Sequence, residues 1–127
     1  MKFIQECDPA LTVGVLAQFN SVTNLLEIYS TGRIVGLVTK VFTTNILNPD
    51  DTTSEVSVAE ITTHGESNVA VLSGSASWKG CELYANSDGH LSALVNGESI
   101  AILIPRHFGE DKVDFIDGEV VNVVMEK

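Results

Sequence analysis

The segment WKGCELYANSDGHLSALVNGESIAILIPRHF, residues 78–108, decides the fold class. It contains three apolar runs, at 81–85, 91–95 and 100–104, and turn-forming residues at Asn86-Ser-Asp-Gly89 and Asn96-Gly97 separate them. Glycine and asparagine accept a positive φ at little cost, so Asx-Gly dipeptides between apolar segments indicate tight turns. The segment therefore predicts a compact antiparallel β-meander of three strands.

The same pattern occurs earlier in the chain. When the sequence is shifted by 66 positions, residues 14–42 align with residues 80–108 without a gap, and seven positions of this 29-residue window are identical. The identities include Leu25 with Leu91 and Leu37 with Leu103. Only two copies fit, whereas a solenoid needs about three or more. The repeat predicts two similar meanders that build one barrel or two packed half-barrels, unless they share turn chemistry by chance.

The rest of the chain also favours strands, and the predicted fold is an all-β, single-domain barrel or sandwich. Residues 34–42 are apolar on both faces, which is typical of a central strand. Residues 55–61 alternate, with Val56, Val58 and Glu60 on one face. Nowhere do apolar residues recur at helical spacing with helix caps.

Two further segments carry turn chemistry. Residues 43–54, TTNILNPDDTTS, are predicted to form the one long loop, with Ile46-Leu47 packed on the body or on a partner. Asp117-Gly118 is predicted to be a type I′ turn between two strands, the second of which is the apolar run Val120–Met125.

Length and composition predict a main domain over residues 11–127 and an N-terminal arm or edge strand over residues 1–10. With 127 residues and 44% hydrophobic content, the chain can bury a real core. It contains no apolar run near the ~20 residues of a membrane helix. The first residues carry charge early and lack a signal-peptide pattern, so synthesis in the cytoplasm is expected.

The charge balance is strongly acidic, with a formal net charge of −10. Nucleic-acid binding depends on Lys and Arg that neutralise phosphates, and anionic membrane surfaces attract the same residues. The composition therefore predicts neither a nucleic-acid partner nor a membrane partner.

The sequence predicts no catalytic, metal-binding or cofactor-binding residues. His64, His90 and His107 stand apart, and a zinc site needs about four convergent ligands. The acidic clusters lack the spacing of a calcium loop, and no GxSxG, Cys–His or P-loop signature occurs. Cys7 and Cys81 predict ordinary buried thiols, with a single bridge between them as the alternative.

A few apolar residues are candidates for contact with another protein. They are Phe3 and Ile4 near the N-terminus, Ile46 and Leu47 in the predicted loop, and Trp78, the single tryptophan. Tryptophan is enriched at binding hot spots and is also common in cores. Packing of Trp78 in the core of its own barrel is therefore the alternative.

The pattern Gly80-Cys-Glu-Leu-Tyr-Ala-Asn-Ser-Asp-Gly-His-Leu91, followed by Ile100-Ala-Ile-Leu103, resembles one in small β-rich decoration (cement) proteins of tailed-bacteriophage capsids. Residues 14–36 and Val71-Leu-Ser-Gly-Ser-Ala76 are similar to it as well. The resemblance covers about half of the chain. The first ten residues depart from it, because they lack the Pro/Ala-rich arm of some members.

The resemblance implies a non-enzymatic structural protein on the capsid exterior of the virion, present in the host cytoplasm during assembly. It implies the major capsid protein as partner, binding across capsomer boundaries, and self-association as a homotrimer, without cofactors. Two alternatives remain: a ligand- or carbohydrate-binding β-sandwich, and a tail or head-completion component. A small hydrolase or carrier domain would require convergent polar residues, which the sequence does not indicate.

Overall fold

Segments rich in valine, isoleucine and threonine form strands along most of the chain, as their preference for extended backbone predicts. The computed structural model describes residues 1–77, 81–104 and 114–126, and within these ranges it contains twelve strands and no helix. The all-β prediction is confirmed. The strands are β1 (Lys2–Glu6), β2 (Leu16–Phe19), β3 (Leu26–Ile28), β4 (Ile34–Leu47), β5 (Thr53–Thr62), β6 (Gly65–Ser73), β7 (Ala76–Ser77), β8 (Glu82–Ala85), β9 (Leu91–Ser92), β10 (Ala101–Ile104), β11 (Asp114–Phe115) and β12 (Val120–Met125).

The strands form two units. In the first unit, β1 to β5 make an antiparallel sheet in the order β1-β5-β4-β2-β3, and a parallel bridge from Cys7 to Leu26 connects its two outer strands. In the second unit, the order β10-β12-β6-β9-β8 forms a closed barrel, in which β6 and β9 pair in parallel. β7 and β11 form a separate two-stranded sheet.

The two units repeat one topology, so the internal repeat is visible in the strand pairing. At the 66-residue shift, β1, β2 and β4 fall on β6, β8 and β10. The pairing of Leu37 with Thr62 in the first unit is repeated by Leu103 with Val123 in the second. The identity of Leu25 with Leu91 is misleading, however. The structural counterpart of Leu91 is Leu26, because Leu26 pairs with Phe19 as Leu91 pairs with Ala85. The β2–β3 turn is one residue longer than the β8–β9 turn, which causes this offset.

The prediction of two meanders is wrong in strand order. β8 pairs with β9, as expected, but β10 pairs with the other edge of β8 instead of with β9. In the first unit, β4 likewise pairs with β2 and not with β3. The reason is closure: the remaining edge of β9 pairs with β6, which leaves β8 as the edge for β10.

The prediction of a long loop over residues 43–54 is also wrong. β4 continues to Leu47 and pairs with β5 as far as the pair Leu47–Thr53, so only residues 48–52 turn the chain. Threonine is β-branched and favours strands, and this preference outweighs the polar composition of the segment. The turn between β5 and β6 is also short, because β5 ends at Thr62 and β6 begins at Gly65.

The predicted turn at Asp117-Gly118 exists, but it is not of type I′. That type requires a positive φ at both central residues, and of the two only Gly118 has one, at 82°. The turn closes with a hydrogen bond from the Glu119 N–H to the Ile116 carbonyl at 3.2 Å. Its flanking strands do not pair with each other, because β11 pairs with β7 and β12 pairs with β6 and β10.

The two units share a core. Leu16 and Leu37 of the first unit pack in one cluster with Leu83, Leu103 and other buried residues of the second. A smaller cluster, which includes Ala59 and Ile61, fills the first unit alone. The shared cluster predicts that the units unfold together.

Gly14 marks a close approach between the two units. Its φ is 93°, and a Cβ there would lie 2.5 Å from the Val69 carbonyl oxygen. The Gly14 carbonyl also accepts a hydrogen bond from the Val71 N–H at 3.0 Å. The chain can pass between the units at this point only because the residue has no side chain.

Gln18 holds the turn between β3 and β4. Its buried side-chain oxygen accepts hydrogen bonds from the Ser30 N–H at 3.1 Å and from the Gly32 N–H at 2.7 Å. Its side-chain nitrogen donates to Oε1 of Glu27 at 3.3 Å. One side chain thus satisfies two backbone donors of the turn.

Substitution of Gln18 by alanine is expected to lower the free energy of unfolding by roughly 2–4 kcal/mol, because two backbone N–H groups lose their acceptor. Urea unfolding of the wild type and of two variants measures this loss. Gln5→Ala is the matched control, since the half-buried Gln5 side chain makes no hydrogen bond among the described residues. A loss of stability no greater in Gln18→Ala than in the control would contradict this role.

The described residues include no helix that is long and apolar enough to cross a lipid bilayer. Cys7 and Cys81 are both free thiols, the first buried and the second half-buried, so the alternative of a bridge between them is wrong. Burial raises the pKa of both thiols above the ordinary value, and neighbouring carboxylates raise it further.

Candidate protein-contact surface

The β4–β5 hairpin extends beyond the sheet as a two-stranded arm. On one side, β2 pairs with β4 only as far as Leu37, and on the other, β1 pairs with β5 only from Val58 onward. A last backbone hydrogen bond joins the Cys7 N–H to the Ser57 carbonyl at 2.9 Å. Residues 43–57 therefore form the outer part of the arm, where β4 and β5 pair with each other and with no other described strand.

The arm has one apolar face and one polar face. Residues that pair directly across an antiparallel ladder point to the same side of the sheet. The pairs Phe42–Val58, Thr44–Val56 and Ile46–Ser54 share a side, and we call this side the outer face of the arm. The opposite side carries mainly polar residues, in the pairs Thr43–Ser57, Asn45–Glu55 and Leu47–Thr53.

The outer face continues onto the sheet, away from the core. Ala59 and Ile61 are buried in the core of the first unit, so Val56 and Val58, which alternate with them, face outward. Phe42, Val56 and Val58 are half-buried. The ammonium group of Lys40 lies 5.6 Å from the centre of the Phe42 ring, a distance at which a cation attracts the face of an aromatic ring.

The two candidate residues near the end of the arm lie on opposite faces. Ile46 is on the outer face and 45% exposed, and Leu47 is on the polar face and 71% exposed. Neither packs in a core cluster of the described residues. Of the two interpretations of Ile46-Leu47, packing on the body of the protein is wrong, and contact with a partner stays a prediction.

The two N-terminal candidates also separate by face. Phe3 pairs with Ile61, is half-buried and packs against the core of the first unit. Ile4 pairs with Glu60 on the outer side and is 60% exposed. Because β1 is paired with β5, these residues belong to the edge of their own sheet. Ile4 can extend the outer face, and Phe3 stabilises the fold. Trp78 lies outside the described residues.

Hydrogen bonds hold the tip of the arm in one conformation. The Asn48 N–H donates to the Thr52 carbonyl at 2.8 Å, and Asp51 adopts a positive φ of 66°. The Asp50 carboxylate accepts hydrogen bonds from the Thr52 hydroxyl at 2.5 Å and from the Thr52 N–H at 3.1 Å. These bonds from Thr52 lower the pKa of Asp50 below its ordinary value.

A polar cleft of about 460 Å³ is lined by residues of both units. Within it, the Lys2 ammonium lies 3.6 Å from Oε1 of Glu60, and the Thr39 hydroxyl donates to the same oxygen at 3.0 Å. The described residues that line the cleft include no histidine, cysteine or aromatic residue. They are Lys2, Thr39, Lys40, Glu60, Glu66, Ser67, Asn68, Val69, Ile104 and Asn122.

The Asn86–His90 segment, which carries the sequence resemblance, has a structural role in the second unit. The Ser73 hydroxyl donates to Asp88 at 3.0 Å, and the Asn86 amide donates to Ser73 at 3.2 Å. Asp88 also accepts a hydrogen bond from the His90 N–H at 2.9 Å. These bonds join the β8–β9 turn to the end of β6, next to the parallel pairing that closes the barrel.

The Asp88 carboxyl has an unusually low pKa. Its partial burial alone would raise the pKa, but hydrogen bonds from His90, Asn86 and Ser73 outweigh burial and lower it from 3.8 to about 2. A carboxyl whose pKa is lower in the folded state stabilises the fold above its unfolded pKa. This stabilisation is lost as the pH falls from about 4 to about 2.

Asp88→Asn is therefore expected to be less stable than the wild type above pH 4, and the difference should shrink as the pH approaches 2. Chemical unfolding of both proteins at several pH values measures the difference. Asp51→Asn is the control, because the Asp51 carboxylate accepts no hydrogen bond among the described residues. A difference between wild type and Asp88→Asn that does not change with pH would contradict the assignment.

The described residues contain no group of three or more His, Cys, Asp or Glu side chains that could hold a metal ion. His64 is exposed in the short turn between β5 and β6, and half-buried His90 lies 3.2 Å from Asp88. His107 lies outside the described residues. The features that distinguish the described surface are thus the arm and its outer face.

No family model, no curated protein and no solved structure matches the chain. Function must therefore be inferred from the chemistry of the arm and the cleft, together with the sequence resemblance. Sequence reasoning identified Ile46 and Leu47 but missed Phe42, Val56 and Val58 as part of the same surface. The alternation of residues 55–61 was the available signal, but it does not show which side faces the core.

Proposed function

We propose that this chain is a non-enzymatic structural protein that binds the outside of an icosahedral tailed-bacteriophage shell and stabilises it across capsomer boundaries. The observation that carries the proposal is the arm, a hairpin with a partly exposed apolar face that projects from a β body of two similar units. Such a surface can bury apolar area against another protein. The sequence resemblance of residues 80–103 supports the shell as the partner.

The body of the protein supports this role through rigidity. A decoration protein gains little from one contact, but many weak contacts multiplied by symmetry hold a shell firmly. The shared core of the two units and the hydrogen-bonded tip keep the arm in a defined conformation, which lowers the entropy lost on binding. Assembly as a homotrimer and binding to the major capsid protein are parts of the same proposal.

The cleft does not favour the carbohydrate-binding alternative. Sugar sites combine polar groups with a flat apolar surface, often an aromatic ring, and the described lining of the cleft contains no such ring. The Lys2 and Glu60 charges in the cleft already partner each other. A tail or head-completion component could use the same arm, and its copy number would be much lower.

The proposal is tested by the copy number of this chain in purified particles from its source, measured by quantitative mass spectrometry against the major shell protein. A ratio near one to one, or a simple fraction set by three-fold positions, is the expected result. A handful of copies per particle would indicate a tail or vertex component instead. Absence of the chain from particles would overturn the proposal.

A further inference from the structure

One edge of the arm is an exposed row of backbone hydrogen-bonding groups. On the side of β4 that faces away from β5, the last backbone hydrogen bonds to described residues join Val38 to Val15 and to Gly14. From Lys40 to Leu47, β4 pairs with β5 on one side, and no described residue pairs with its other side. Alternate residues of an antiparallel pair direct their N–H and C=O groups away from the partner strand. Every second residue of this stretch therefore presents a donor and an acceptor outward.

Between Val41 and Leu47, this edge lacks the features that usually prevent strand addition. Protected edges are short or carry proline, bulges or charged side chains. Beyond the irregularity at Thr39, the stretch to Leu47 contains no proline, and Lys40 is its one charged residue. Threonine, valine, phenylalanine and isoleucine, all of which favour strands, make up most of it. Such an edge is suited to pairing with another strand.

We propose that an extended segment of the partner protein binds the arm by adding as a new strand to the β4 edge between Lys40 and Leu47. The identity of the partner rests on the function proposed above, under which the segment belongs to the shell protein. Main-chain hydrogen bonds provide affinity in this mode of binding, and side chains that alternate between the two faces provide specificity.

The arm also defines the chemistry of the segment. On the outer face, the added strand lies beside Phe42, Thr44 and Ile46, so its side chains on that side are apolar or β-branched. On the other face it lies beside Thr43 and Asn45, which favours polar side chains. The charged residues near the tip, Asp50, Asp51 and Glu55, are all acidic. Charge complementarity therefore favours a basic residue at that end of the segment.

The test uses the whole chain and, as a probe, a synthetic peptide of alternating valine and threonine with a lysine at each end. Amide hydrogen exchange is measured by NMR with and without saturating peptide. We expect exchange of the outward-directed amides of Lys40–Leu47 to slow at least about tenfold, while amides of residues 53–57 keep their rates. A peptide of equal charge with proline in place of valine controls for attraction between lysine and the acidic chain, and it should have no effect.

Two proline variants locate the edge. The N–H groups of Thr43 and Thr44 point in opposite directions, so one of Thr43→Pro and Thr44→Pro keeps every hydrogen bond within the hairpin. That variant is expected to unfold at the wild-type temperature and to lose the protection by peptide. Unchanged protection in it would overturn the proposal, and so would protection confined to β1 or to residues 53–57, or none.

Three further outcomes either assign the edge to another occupant or separate this inference from the proposed function. Protection of Lys40–Leu47 that increases with chain concentration in the absence of peptide would assign the edge to a second copy and overturn the proposal. Protection by peptide, in a chain that is absent from purified particles, would support strand addition at β4 and reject the shell function. Presence of the chain in particles, without protection by peptide, would support the shell function and reject strand addition at β4.

Discussion

Replacement of Gly89 by alanine is expected to lower the free energy of unfolding by about 2–5 kcal/mol, because backbone strain and steric overlap add. Gly89 has a φ of 88°, and a Cβ there would lie 2.4 Å from Cγ2 of Ile28 in the other unit. Its carbonyl also accepts a hydrogen bond from the Leu16 N–H at 2.6 Å. A backbone shift that relieved the overlap would therefore weaken the contact between the two units.

Thermal and urea unfolding measure this loss, and a decrease in Tm of roughly 10 °C is expected for a domain of this size. Gly97→Ala is the matched control: Gly97 has a φ of 69°, but no atom would lie within 4 Å of its added Cβ. The control carries only the backbone strain and should lose about 1–2 kcal/mol. Equal losses in the two variants would contradict the close packing of Gly89 against Ile28.

Under the proposed function, Ile46→Asp is expected to weaken binding to the shell at least about 30-fold, because a carboxylate would be buried against an apolar surface. Ile46 lies near the end of the outer face and is exposed in the free chain, so the fold itself should keep its stability. Binding is measured by co-sedimentation of the purified chain with particles that lack it.

Leu47→Asp is the control for this variant, since it adds the same charge at the neighbouring position on the opposite face. It should weaken binding less than about fivefold, as expected for a residue outside the binding surface. If Leu47→Asp weakened binding as much as Ile46→Asp, the loss would come from added charge or from the whole tip. The assignment of binding to the outer face would then be wrong.

Local sequence chemistry predicts the strands well, and it predicts which strands are neighbours less well. The Asn86–Gly89 turn and the apolar run at 120–125 are visible in the sequence, because turn preferences and alternation are properties of adjacent residues. The pairing of β10 with β8 and the bridge from Cys7 to Leu26 join residues that are distant in the sequence. No local pattern encodes such contacts.

The arm shows how composition alone can mislead. Residues 43–54 contain proline and acidic residues at the tip, and these made the whole segment resemble a loop. The threonines on either side extend the strands instead, and the cross-strand pairs determine which side chains share a face. Ile46 and Leu47 stand out in the sequence as apolar residues in a polar setting. Their separation onto opposite faces follows only once the hairpin is known.

The proposed function is tested most directly by an electron cryomicroscopy map of the intact particle, at a resolution that shows side chains. It predicts density for this chain on the outside of the shell, with Phe42, Ile46 and Val56 in contact with the shell protein. An arm that points into solvent while another surface of the chain contacts the shell would contradict the binding surface. A map of the complete shell without this chain would contradict the function.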